Sequence, residues 1–149
     1  MSRLVSFCRL PRVERWLAFE ALGWLGLARA AVLIFPFRWV ASALGPRVTG
    51  PVPVREPLLE LPPPAARAVA KAIARVRPHT PWNSNCLAQA VAGYAMLRRR
   101  HIRSTLCFGV MRNSEGELEA HAWLRSGGAV LTGGGGLSRY AVVAAFAGE

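Results

Sequence analysis

The chain has 149 residues, 52% of them hydrophobic, and a formal net charge of +11. That is enough for one domain with a real core and too apolar for a disordered segment. All eight acids are Glu and Lys71 is the single lysine, so the positive charge is an arginine charge; it suits acidic peptides or anionic membranes, whereas nucleic acid is not expected, because zinc-finger spacing and RNP-like aromatic motifs are absent.

In chain order, residues 1–45 are predicted to be a helical N-terminal part. Between Ala21 and Phe37 only Arg29 is charged. This run falls short of the ~20 apolar residues of a spanning helix. It is apolar around most of its circumference, which implies packing on more than one side. Pro36 is expected to end or kink a first helix, and Gly45-Pro46 to end a second. The two helices either join the core or lie on a membrane surface or a partner. Residues 46–64 hold seven prolines and predict an extended connector.

Residues 65–149 then form the part that carries the chemistry. Val69, Ile73 and Val76 place a helix over 65–77, which Pro78 stops. The loop "PHTPWNSN" leads to a helix that begins near Cys86. Its apolar stripe is Leu87, Ala90, Val91, Tyr94 and Leu97, and residues 98–100 put three arginines at its negative end. Four strands follow: "STLCFGVM", "ELEAHAWL", "AVLT" and "RYAVVAAF", with turns at 113–116 and at "RSGG". Helices followed by an antiparallel sheet make the fold class α+β, in a single domain over 1–149.

Cys8, Cys86 and Cys107 are far apart. They form neither a disulfide framework nor a metal cluster, and no secretory signal precedes them. Free thiols, a cytoplasmic setting, no metal and no cofactor are expected. Cys107, between Leu106 and Phe108, reads as a buried hydrophobe. Cys8 has no assigned role. His79 belongs to a loop, and His101 is expected to cap a helix end.

Cys86 is different. Asn83, Ser84 and Asn85 are all N-cap residue types, so Cys86 falls in the first helical turn. Unpaired N–H groups and the positive helix end there stabilise a negative sulfur and can hold a developing oxyanion. Attack needs a base as well. His121 lies on a strand face that also carries Glu119 and Trp123. Cys86 and His121 are therefore the candidate catalytic pair.

The stretches "NCLAQAVAGYAMLRRRHIRSTLCFGV" and "EAHAWLRSGGAVLTGG" resemble the transglutaminase-like, papain-type core of the leader peptidases of lasso peptide biosynthesis. The opening "RWLAFEALGWLGLARAAVLIFPFRWVASALG" resembles that family's first helices. The resemblance implies a cysteine peptidase that removes the leader from a ribosomally made precursor, with Cys86 as nucleophile and His121 as general base. It also implies three partners: the leader region of a lasso precursor peptide, a separate small leader-recognition protein, and a lasso cyclase (macrolactam synthetase).

The family's orienting acid in the return strand is missing, since no acid lies between His121 and Glu149. A two-residue turn at Ser126-Gly127 places Thr132 opposite His121, and a shift by one position places Gly134 there. The Thr132 hydroxyl, a backbone carbonyl or Glu119 is left to orient the imidazole. Asn85 and Gln89 are candidates for supporting an oxyanion, and Trp82 and Trp123 either wall the cleft or pack. Two other readings compete. One is a catalytically weak or inactive scaffold that binds the precursor or the maturation complex. The other is a transglutaminase joining Gln to Lys, which uses the same pair; small size and the resemblance favour hydrolysis.

Overall fold

The structure is a computed structural model that describes residues 9–50, 52 and 61–148. Cys8 and the middle of the proline-rich connector, residues 51 and 53–60, lie outside the described residues. Among the described residues, four α-helices precede the strands: α1 Arg12–Ile34, α2 Phe37–Ala43, α3 Pro64–Val76 and α4 Cys86–Arg98. Four strands follow: β1 Ser104–Arg112, β2 Leu118–Ser126, β3 Ala129–Thr132 and β4 Ala141–Gly148. They form one antiparallel sheet in the order β3-β2-β1-β4. The fold is α+β, as the sequence predicts.

α1 stops before Pro36, which has no N–H to continue it, and the proline's φ of −56° opens α2. Only a narrow stripe of α1 is buried: Ala18, Ala21, Leu25 and Ala28. These mostly small side chains let α1 lie close on α3 and α4. Among the described residues, the neighbours of α1 lie on one side, so the expected burial on several sides is not found there. Trp16, Phe19, Leu27, Leu33 and Ile34 are exposed, and Phe35, Phe37 and Trp39 continue the exposed surface. The two acids of α1 tie it inward. Glu14 pairs with Arg75 of α3 at 3.0 Å, and Glu20 pairs with Arg100 beyond α4 at 2.6 Å. Bonding to Arg100 is the main reason the Glu20 carboxyl is held below its ordinary range; its burial pulls the other way.

α4 is the central helix. Ala88, Ala90, Ala92, Tyr94, Met96 and Leu97 are all buried, so it is enclosed on more sides than a single stripe would give. Gly93 is required there: a Cβ would stand 2.7 Å from Leu124 of β2. The helix ends through its backbone. Ile102 N–H donates to Leu97 O and His101 N–H to Arg98 O, with His101 in the left-handed region at φ 52°. This is the six-to-one, five-to-two pattern that more often uses glycine. His101 caps by its conformation.

The sheet has two covered faces. Leu106, Ala122, Leu124 and Phe146 join the helices in the main core. Cys107, Trp123 and Ala145 face the other way, where Leu137 and Tyr140 cover them. Cys107 is fully buried, as its strand neighbours lead one to expect. Residues 46–48 run along the free edge of β4, where Val48 N–H donates to Ala145 O at 2.8 Å.

Candidate functional site

α4 begins at Cys86 because Asn85 caps it. The Asn85 backbone is extended, and its Oδ1 accepts from Ala88 N–H at 3.0 Å. The N–H groups of Cys86 and Leu87 have no hydrogen-bond partner among the described residues. The loop before the helix is held on both sides. Thr80 Oγ1 lies 2.9 Å from the carbonyls of Arg77 and Trp82 and 2.8 Å from Ser84 Oγ. The buried Gln89 donates through Nε2 to Ser84 O at 2.6 Å, while its Oε1 accepts from Arg77 at 3.3 Å. Trp82 lays its ring over Gly26 of α1, where a Cβ would come within 3.3 Å of it. Asn85 and Gln89 are thus engaged in the cap and the loop. The donors left to meet an oxyanion among the described residues are the N–H groups of Cys86 and Leu87 and Asn85 Nδ2, since the cap uses only Asn85 Oδ1.

His121 sits on β2 opposite Gly109 of β1. Its Nε2 is 2.7 Å from Gly133 O. A carbonyl only accepts, so Nε2 carries the proton and Nδ1 of the neutral ring keeps a lone pair. The carbonyl is placed by a glycine of φ +73°, at which a Cβ would lie 2.5 Å from Ala122 O. The hairpin turn falls at the second of the two predicted positions, and a bulge then displaces the register. The turn is Gly127-Gly128, which pairs Ser126 with Ala129 and Arg125 with Val130; a bulge then pairs Leu124 with Thr132. Thr132 is consequently not opposite His121. Its hydroxyl is buried without a partner, and the backbone carbonyl next to it orients the ring instead.

Glu119 does not bond the imidazole either. Its Oε1 accepts from Tyr140 Oη at 2.9 Å. Tyr140 is the residue the sequence reading missed. It stands at the end of the Leu137–Arg139 turn, and its ring stacks on His121 at 5.0 Å between centroids and 30° between planes. Trp123, fully buried, stacks on the same imidazole at 6.1 Å and 24°. The Tyr140 phenol is pushed up, first by its bond to Glu119, then by burial and the Glu119 charge; Arg139 opposes this and Cys86 adds to it. Tyr140 therefore links His121, on which its ring stacks, to Glu119, to which its hydroxyl donates. Cys86 itself is half-buried, and its sulfur makes no hydrogen bond among the described residues. Among those residues no group of three His, Cys or Glu side chains could hold a metal.

A thiol at a helix start, an imidazole with its tautomer fixed and two free N–H donors are the parts that nucleophilic attack on a carbonyl requires. The sequence model of the transglutaminase-like superfamily matches residues 31–145, from the last turn of α1 to the middle of β4. Comparison with curated proteins gave no match, and comparison with solved structures gave none either.

Proposed function

Because the chain belongs to the transglutaminase-like superfamily, we propose that it is a cysteine peptidase that removes the leader from a lasso peptide precursor. The observation that carries this reading is the His121 Nε2–Gly133 O bond, which leaves Nδ1 to accept a proton from a thiol. In the reaction, Cys86 gives its proton to His121 and its sulfur attacks the scissile carbonyl. The tetrahedral oxyanion is met by the N–H groups of Cys86 and Leu87. Collapse breaks the C–N bond, His121 protonates the leaving amine, and a thioester on Cys86 remains. Water, deprotonated by His121, then attacks the thioester and releases the acid product and the thiol.

The setting is cytoplasmic, with a separate recognition protein presenting the leader and a cyclase taking the freed core peptide. The exposed apolar surface of α1 and α2 rests on an anionic membrane. Glu14 and Glu20 are both paired with Arg75 and Arg100, so neither acid is left to oppose such a surface.

The experiment is incubation with precursor and recognition protein, read by mass spectrometry. Leader release is expected from the native chain and not from Cys86→Ala. Release by Cys86→Ala at a comparable rate would refute the nucleophile. A second reading, a binding scaffold, is favoured by the absence of a carboxylate on His121. It is the outcome if both proteins bind precursor and neither cleaves it.

A further inference from the structure

Among the described residues no carboxylate bonds the His121 imidazole, yet the ring is not bare. On one side Tyr140 lies at 5.0 Å, and Trp123 lies at 6.1 Å. The two rings are themselves 6.5 Å apart, so they form a corner around the imidazole and do not sandwich it. A cation within about 6 Å of an aromatic centroid is attracted by the ring's negative face. Tyr140 also donates its hydroxyl hydrogen to Glu119, which pushes electron density back into the ring. That makes it a better surface for an imidazolium than a free phenol.

The arrangement is built in from the neighbouring strand. A Cβ at Gly109 would stand 2.8 Å from the six-membered ring of Trp123 and 3.0 Å from Tyr140 Cβ. The β1–β4 register also shifts between Phe108 and Gly109. Only an absent side chain at that place lets both rings close over the position opposite, which is His121.

We propose that Tyr140, tethered by Glu119 and admitted by Gly109, is the positioning residue for His121, its ring serving in place of the missing carboxylate. The proposal rests on the peptidase reading above. It divides the third role in two. The Gly133 carbonyl fixes the tautomer and ring direction, and the Tyr140 ring stabilises the positive charge that His121 acquires when Cys86 gives up its proton. Glu119 is exposed, so solvent screens its charge and the ring carries the larger share. The other charged groups that bear on Tyr140 are Arg139, which acts against an imidazolium, and Cys86, which favours it.

The test is the titration of the His121 ring by NMR, made in the Cys86→Ala protein so that the thiol does not titrate alongside it. Tyr140→Leu is expected to lower the midpoint. Tyr140→Phe keeps the ring and loses the tether, so it lowers the midpoint less, and Glu119→Gln does the same. With Cys86 present, Tyr140→Leu lowers kcat and leaves KM near the native value. An unmoved midpoint in Tyr140→Leu overturns the proposal. If that variant does not fold, Tyr140→Phe and Glu119→Gln decide, and no movement in either overturns it. Failure of the native chain to cleave any precursor, with the midpoint shifts intact, would remove the peptidase reading and leave the ring's role standing. Cleavage with unmoved midpoints would do the opposite.

Discussion

Gly133 and Gly109 determine where the imidazole is held more than any side chain does. Gly133 presents its carbonyl to His121 from a left-handed backbone, and a Cβ there would clash with Ala122 O at 2.5 Å. Gly133→Ala is therefore expected to cost about 1–2 kcal/mol in urea unfolding and to slow cleavage more than stability alone explains. A variant with native stability and native rate would show that the carbonyl does not matter. Cys86 and His121 were legible in the sequence because each advertises itself locally: one follows a run of N-cap residues, the other alternates with Ala122 on a strand. The ring's partner was not legible. It depends on a bulge between Leu124 and Arg125, and one inserted residue changes which group lies beside His121. Tyr140 was hidden for another reason. Its side chain looks like any first residue of a buried strand until Gly109, thirty-one positions earlier, is seen to make room for it.

At the scale of elements, the site depends on how α4 is fastened. Its first turn is fixed by Asn85 and by the Gln89 bracing of the loop, and its far end by Arg100 against Glu20 of α1. The Glu20–Arg100 pair makes a pH signature. Bonding to Arg100 holds the Glu20 carboxyl below its unfolded value, so the pair stabilises the fold above that value, and the contribution is lost as pH falls through the folded one. Stability measured from pH 6 downward should therefore fall with acid, and Glu20→Gln should flatten that fall while lowering stability at neutral pH. A variant with the native pH dependence would show that the pair does not couple α1 to α4. Helix and strand order were readable from periodicity and from Pro36 and Pro78. The enclosure of α4 was not, because Ala88, Ala92 and Met96 lie off the Leu87–Leu97 stripe and are buried by neighbours that periodicity does not reveal.

At the scale of the whole molecule, the described residues leave an apolar surface exposed. Trp16, Phe19, Leu27 and Ile34 recur along the outer side of α1, and Phe35, Phe37 and Trp39 extend the surface past the proline. Arg12, Arg15, Arg29 and Arg38 have no ion pair among the described residues. A helix with an apolar outer face beside uncompensated arginines suits the interface of an anionic bilayer. Co-sedimentation with phosphatidylglycerol vesicles should exceed that with phosphatidylcholine and weaken with salt, and the double variant Trp16→Ser, Trp39→Ser should reduce it several-fold. No retention by anionic vesicles would contradict membrane contact, and a dimer in solution or capture by the recognition protein would then identify what covers the surface. The sequence placed these residues in an apolar region and left open whether they join the core or meet a membrane or partner, since hydrophobicity alone does not say which side has a neighbour.

The central claim is that the Cys86 sulfur is activated by His121, and the rate of its alkylation by iodoacetamide at neutral pH, resolved by peptide mass spectrometry, tests it most directly. The native chain is expected to react at Cys86 faster than a free small thiol, and His121→Ala, still folded, should slow that reaction by about tenfold or more. Equal rates in the two proteins, or a native Cys86 no faster than the small thiol, would contradict the account.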